Sequence, residues 1–181
     1  MTKGRAAFAG VRRVGWDEFG ELCRDLALAV SGFNPEIVVG IARGGVVPGV
    51  VVASMLQREF FSVRISRRHD GELVRRQPEL LQEFPPQVLD RRVLIVDDLA
   101  VTGATLDLAH AHARALGAAE VRTCCLFLHR GTYRPDYAAL VSDELHIPPW
   151  DRVVLRQGRF VQNPAYEALM DIAVASTRPR R

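Results

Sequence analysis

Two adjacent carboxylates, Asp97 and Asp98, stand where the aliphatic run VLIV (residues 93–96) ends, and a loop of small and hydroxylated residues follows them. A buried strand that runs straight into two acids is costly unless each acid has something to hold. Paired carboxylates can accept hydrogen bonds from two neighbouring hydroxyls, or help to organise a Mg²⁺-bound ligand. Val101, Thr102, Gly103, Ala104 and Thr105 then offer hydroxyls and unobstructed backbone N–H groups where a helical pattern begins. The positive end of that helix favours a phosphate. Acids that grip a diol beside a monophosphate cradle describe a ribose 5-phosphate. The simpler alternative is an acidic cap on a Thr-rich helix start, which leaves the pairing of the aspartates unexplained.

A second small-residue stretch, ARGGVVPG, lies upstream at residues 42–49. Gly44 and Gly45 let the backbone turn its N–H groups toward a ligand with no Cβ in the way, and Arg43 adds a fixed cation. This combination suits a polyanion such as pyrophosphate. A tight strand-to-helix turn with a surface arginine accounts for the same residues equally well.

These residues need a scaffold, and the chain has the periodicity for one. WDEFGELCRDLALAVS places Phe19, Leu22, Cys23, Leu26, Ala27 and Val30 at helical spacing, which predicts an amphipathic helix from Trp16 to about Ser31. IVVGIA (37–42), FFSVRIS (60–66), RVLIVDD (92–98) and EVRTCCLFLH (120–129) are short aliphatic runs bounded by turn residues, as buried parallel strands are. Helices are expected over residues 50–57, over 103–116 with Gly117 closing the latter, and over 164–175. YAALVS and RVVLRQ predict shorter late strands. Residues 66–87 carry charges, a glycine and prolines without a period, and read as a long mobile excursion. Strand and helix alternate, so the expected fold is a single α/β domain over residues 1–181, with a central, mainly parallel sheet flanked by helices. Ligands of such sheets bind beyond the carboxyl ends of the strands, where both loops fall.

Composition narrows the function classes. The chain has 181 residues, 48% hydrophobic and 25% charged, which is ordinary for one globular domain. No apolar run is long enough to cross a bilayer, and the basic N-terminus lacks the apolar segment of a signal peptide. The three cysteines, Cys23, Cys124 and Cys125, have no metal-ligand spacing. They suit reduced, buried thiols in a cytoplasmic protein. The net charge is +3 and the pI near 9.0. The basic stretches have no interleaved aromatics, helix-turn-helix or zinc pattern, so a phosphate-rich small molecule is favoured over nucleic acid.

VLIVDDLAVTGAT resembles the thirteen-residue phosphoribosyl pyrophosphate signature of type I phosphoribosyltransferases, and GIARGGVVPG resembles the pyrophosphate loop of the same family. WDEF, ARGGVVPG and PPWD together are similar to the bacterial xanthine-guanine branch, and LFLHRGTYRPDY to the segment leading into the base site of hypoxanthine-guanine enzymes. The likeness spans roughly residues 14 to 155. It implies transfer of 5-phosphoribose from the diphosphate to a purine base, a 6-oxopurine such as xanthine, guanine or hypoxanthine, with Mg²⁺ as cofactor, in nucleotide salvage. It implies Asp97 and Asp98 on the ribose, residues 101–105 on the 5-phosphate, and Arg43, Gly44, Ser66, Arg67 and Arg68 on the pyrophosphate. By the same resemblance Asp98 and Asp151 meet metal, and a small hood forms from about residues 140–160. A cis non-proline peptide is expected around Arg43–Gly44, and a homodimer or tetramer is expected as the assembly.

The pattern is broken at two places. The 6-oxopurine enzymes carry an Asp before the Thr-Gly of the signature, and here that position is Val101, which cannot act as acid or base. The Lys that faces the 6-oxo group is replaced by His129, beside Arg130. Either can donate to an exocyclic oxygen, and a strand-end histidine touching solvent is the alternative. Trp150 is the aromatic candidate to stack on the base, with Leu145 and His146 as rivals. A non-catalytic regulator that senses the diphosphate or a nucleotide through the same pocket, or a transferase for another base, would use many of the same residues.

Overall fold

The computed structural model describes residues 8–69, 72–73, 77–131 and 133–166. Along the chain run β1 (Val11–Arg13), α1 (Trp16–Ser31), β2 (Ile37–Ala42), α2 (Val46–Leu56), β3 (Glu59–Ser66), β4 (Arg68–His69), β5 (Glu72–Leu73) and β6 (Glu79–Leu80). They are followed by β7 (Arg92–Ala100), α3 (Ala104–Ala115), β8 (Glu120–His129), β9 (Tyr137–Ser142), β10 (Leu145–Ile147), β11 (Val153–Arg156) and β12 (Arg159–Gln162).

A six-stranded sheet in the order β6-β3-β2-β7-β8-β9 is the centre of residues Leu22–Val141, one of two compact units. β3, β2, β7 and β8 are mutually parallel, and the two-residue β6 is antiparallel to the edge of β3. β2 is buried on both faces, which is why its sequence is continuously aliphatic rather than alternating. Ile37, Val39 and Ile41 join a core cluster with Ile95, Cys125, Leu106, Ala109 and Ala113, so they face α3. Gly40 points the other way, toward α2. A Cβ there would come within 2.9 Å of the Gly45 carbonyl and of the Phe60 ring. A Cβ on Gly49 of α2 would in turn meet Phe60 at 2.9 Å. Two glycines and one ring thus set how closely α2 approaches the sheet.

The other unit joins residues Met1–Glu21 to Ser142–Arg181. In it β1 pairs in parallel with β10, and β11 forms an antiparallel hairpin with β12. Phe19 is buried between Trp16 (ring centroids 6.0 Å apart) and Trp150 (5.0 Å), both edge-on. No helix among the described residues is long and apolar enough to cross a membrane.

The strand runs read from sequence fall on β2, β3, β7, β8, β9 and β11, and α1 has the expected bounds. α2 starts at Val46, not at residue 50. Pro48 lies in its first turn, where the missing N–H had no intrahelical acceptor to serve, so the proline does not delay the helix. β7 runs on to Ala100, pairing Leu99 with Phe127 and Ala100 with Leu128, so the acids lie within the strand rather than beyond it. The helix expected over 164–175 is present at 164–166, and its remainder lies outside the described residues.

Gly20 and Gly49 make a paired test of packing against helix propensity. A Cβ on Gly20 of α1 meets nothing within 4 Å. Gly20→Ala is therefore expected to stabilise by roughly 0.5–1 kcal/mol in denaturant titrations. Gly49→Ala carries the same propensity gain, but its clash with Phe60 is expected to leave a net loss of about 1–2 kcal/mol.

Candidate active site

The carboxyl ends of β2, β3 and β7 surround a cavity of about 190 Å³. Its walls are Ile41, Ala42, Arg43, Gly44, Ile65, Ser66, Arg67, Asp97, Asp98 and Thr105. Arg43, Gly44, Ser66, Arg67, Asp97, Asp98 and Thr105 were all singled out from the sequence; they come from four separate stretches of chain. Arg43 and Arg67 are exposed at the rim, while Asp97 is buried and Asp98 half-buried.

Residues 43–45 form the turn between β2 and α2, entered through a cis peptide at Ala42–Arg43, one bond before the position expected. Neither Gly44 nor Gly45 has a positive φ. Their lack of a side chain matters for a different reason. A Cβ on Gly44 would collide with the Asp98 carboxylate. One on Gly45 would lie 2.5 Å from the Val96 carbonyl oxygen and 2.7 Å from the Asp97 Cα. The turn is glycine because it is pressed against the end of β7.

The two acids are held by their own backbone. The Asp98 amide donates to Asp97 Oδ1 at 3.0 Å, and the Leu99 amide donates to Asp98 Oδ1 at 2.9 Å. Burial, then the charge of Asp98, pushes the Asp97 carboxyl well above the usual carboxylate range. A cation or a hydroxyl donor entering the cavity would relieve this. Two neighbouring hard oxygen donors fit Mg²⁺ that arrives with substrate phosphates, an ion that commonly takes only one or two protein carboxylates. Among the described residues no cluster of three or more His, Cys, Asp or Glu forms a self-sufficient metal site.

The loop 101–105 leads into α3, whose cap is Gly103 at φ 75° with no side-chain capping bond. The first-turn amides therefore receive no side-chain acceptor at the cap, and Thr105 reaches the cavity wall. Gly103 is left-handed, and its Cα also abuts the ring of Tyr133. His129 ends β8, one step beyond the register pair Ala100–Leu128, with Arg130 exposed after it.

The remaining expected site residues fall elsewhere. Leu145 and His146 are buried in β10, which leaves neither an open face for stacking. Trp150 is half-buried and packs on Phe19. The Asp151 carboxylate accepts from the Tyr166 hydroxyl at 2.6 Å and from Asn163 Nδ2 at 3.1 Å, so both its oxygens already brace that unit. The Arg68 backbone lies in β4, and its side chain is outside the described set. Cys23, Cys124 and Cys125 are buried free thiols, and burial pushes Cys23 and Cys125 up to about 12. Ile41, Ala42 and Ile65 line the cavity without a chemical signature in the sequence, and Tyr133, inside the LFLHRGTYRPDY segment, was not singled out.

The phosphoribosyl transferase domain model matches residues 15–155. The chain belongs to that family. The xanthine-guanine phosphoribosyltransferase of Ruegeria sp. (strain TM1040) is 32% identical over 106 residues, covering 52% of this chain and 60% of the relative, so the match spans less than two thirds of that protein. Among solved structures, the purine phosphoribosyltransferase of Pyrococcus horikoshii Ot3 superposes with a TM-score of 0.70 at 24% identity, over 82% of this chain and 99% of that one. A Neisseria gonorrhoeae protein solved with bound ppGpp superposes with a TM-score of 0.67 at 14% identity, over 93% of this chain and 98% of that one. The parallel sheet with flanking helices is thus the type I phosphoribosyltransferase fold.

The raised Asp97 carboxyl has a measurable consequence for this phosphoribosyltransferase domain. An acid whose folded pKa is raised favours the folded state most below its unfolded pKa, and that contribution is lost as pH rises through the folded pKa. Asp97→Asn removes the penalty. In metal-free buffer the variant is expected to melt above the wild type at pH 8, with the gap closing toward pH 4 in calorimetric scans.

Proposed function

We propose that this protein transfers 5-phosphoribose from phosphoribosyl pyrophosphate to a purine base, a 6-oxopurine by preference, and releases pyrophosphate. The observation that carries the reading is the cavity itself, in which Asp97 and Asp98 share walls with Arg43, Arg67, Ser66 and Thr105. Asp97 and Asp98 would take the two ribose hydroxyls, and the amides of 102–105 the 5-phosphate at the start of α3. Arg43, Gly44, Ser66 and Arg67, with Arg68 following them in the chain, would meet the pyrophosphate. Asp98 would help to hold Mg²⁺ arriving with the diphosphate, which would neutralise leaving-group charge. A second metal contact at Asp151 would compete with Tyr166 and Asn163 for the same oxygens.

As the bond from ribose to pyrophosphate breaks, positive charge grows on the sugar and negative charge on the leaving group. In this reading the acids would stabilise the first and the arginines the second. No covalent nucleophile is required, because positioning and preorganised charge supply the acceleration. His129 or Arg130 would donate to the 6-oxo group. Val101 leaves the proton of the base imidazole to water or to another neighbour. Residues 66–87 would close over the diphosphate, and residues 140–160 would form the hood. The relationship to a xanthine-guanine enzyme supports the 6-oxopurine preference.

A second reading is favoured by one specific observation. Val101 replaces the family acid, and a structural relative with bound ppGpp shares the fold over 93% of this chain. In that reading the pocket senses a nucleotide without turnover.

Incubating the protein with the diphosphate, Mg²⁺ and a panel of bases decides between them, with pyrophosphate release as the readout. A 6-oxopurine is expected to react best. Release with no base, or ppGpp binding without turnover, would displace the transferase reading. Asp98→Asn is expected to keep the fold and cut transfer at least tenfold, about 1.4 kcal/mol of barrier. His129→Ala is expected to weaken the 6-oxopurine five-fold or more, through one lost hydrogen bond worth about 1–3 kcal/mol, with diphosphate binding nearly unchanged.

A further inference from the structure

The loop that follows β8 runs beside the loop that begins α3. The Cβ position of Gly131 is 4.0 Å from the Val101 carbonyl oxygen, and that of Gly103 falls among the ring carbons of Tyr133. Gly103 is the left-handed cap of α3, at φ 75°. A glycine in that region is free to leave it, because no side chain restricts its backbone. Here the aromatic ring blocks one side of it.

The ring is itself fixed. Tyr133 is partly buried against the core cluster that includes Leu106 and Ala109 of α3. Its hydroxyl lies within reach of the Thr123 side chain. Thr123 lies within β8 and is clamped in turn, its amide donating to Asp136 Oδ2 at 2.7 Å and its hydroxyl lying 3.1 Å from the same oxygen. Arg122 Nη1 donates to the other Asp136 oxygen at 2.9 Å. The chain of contacts therefore runs from the rigid centre of the sheet through a hydroxyl pair and an aromatic ring to the backbone of the proposed phosphate loop.

We propose that Tyr133 is a positioning residue for the 5-phosphate: its ring backs Gly103 and keeps the amides of residues 102–105 in the anion-binding arrangement before ligand arrives. This rests on the phosphoribosyl reading above and adds a residue that touches no substrate. Preorganisation of this kind acts on ligand binding, since the ordering cost would otherwise be met when the phosphate docks. It singles out the 5-phosphate end, because the pyrophosphate turn at 43–45 is held separately by the end of β7.

The test uses the full chain in metal-free buffer and isothermal titration with two probes, ribose 5-phosphate and inorganic pyrophosphate, beside melting curves. Tyr133→Ala is expected to bind ribose 5-phosphate at least tenfold more weakly than wild type, with pyrophosphate affinity within twofold. Tyr133→Phe keeps the ring and is expected to stay within threefold for both probes. If the alanine variant does not fold, Tyr133→Leu, which fills the core but lacks the planar ring, is judged by the same outcomes. Ribose 5-phosphate affinity within twofold of wild type in the ringless variant overturns the proposal, as does an equal loss for both probes, which marks general damage to the site. A phenylalanine variant as weak as the alanine one also overturns it, by moving the effect to the hydroxyl. Wild-type protein that binds no ribose 5-phosphate fails the phosphoribosyl reading, and this proposal with it.

Discussion

The contact between the turn at residues 43–45 and the carboxyl end of β7 governs the whole site. Gly45 lies against the backbone of Val96 and Asp97, and Gly44 against the Asp98 carboxylate, at separations that exclude any side chain. Those contacts bring the arginine of one loop and the two acids of β7 into the lining of one small cavity. They also bury Asp97, and that burial raises the cost of its charge. The parallel pairing of β2 with β7 makes the contact unavoidable, because it places the two carboxyl ends side by side.

A site assembled this way gathers two acids and two arginines around one cavity. The charge of Asp98 disfavours that of Asp97 at the end of a buried strand, and Arg43 and Arg67 are exposed at the rim. The proposed ligand, with hydroxyls at one end and phosphates at the other, would complement both groups. Hydroxyl donors from it would favour the charged form of the acids. The same physics sets the limit imposed by Val101. An aliphatic side chain contributes neither charge nor proton, so in the proposed transfer the base would depend on other groups.

The six-stranded sheet supplies the rigidity that these loops need. β8 is buried along most of its length, and Asp136 fastens its Thr123 and Arg122. Arg122 also lies over the Phe33 ring at 5.9 Å, joining the end of α1 to the same strand. In the other unit, Tyr166 and Asn163 hold Asp151 while Phe19 packs between Trp16 and Trp150. In both units an exposed segment is tied down by a carboxylate with several donors, a stronger arrangement than single surface ion pairs provide.

Much of this was legible in the residues. The aliphatic runs of β2, β7 and β8 announce buried parallel strands because both faces must be apolar, and the spacing of Phe19, Cys23, Leu26 and Val30 announces α1. Asp97, Asp98, Arg43 and Thr105 declared themselves as a site because paired acids and a bare small-residue loop are costly in a strand-end context without a ligand. Other features were silent because they depend on what lies across space. Gly44 and Gly45 read as turn glycines, whereas the tertiary structure makes them glycine through contact with β7. The second helix read as starting at residue 50, although Pro48 sits inside it. His146 read as a stacking candidate, yet pairing with β1 buries it. Tyr133 stood inside the LFLHRGTYRPDY likeness but was not singled out there, since the role proposed for it exists only when the loop after β8 folds beside Gly103. The sequence by itself determined which residues bear charge, hydroxyls and bare backbone, because those are properties of single residues and their near neighbours. Only the tertiary structure decided which of them share a cavity and what braces them, because parallel pairing joins segments that are far apart along the chain.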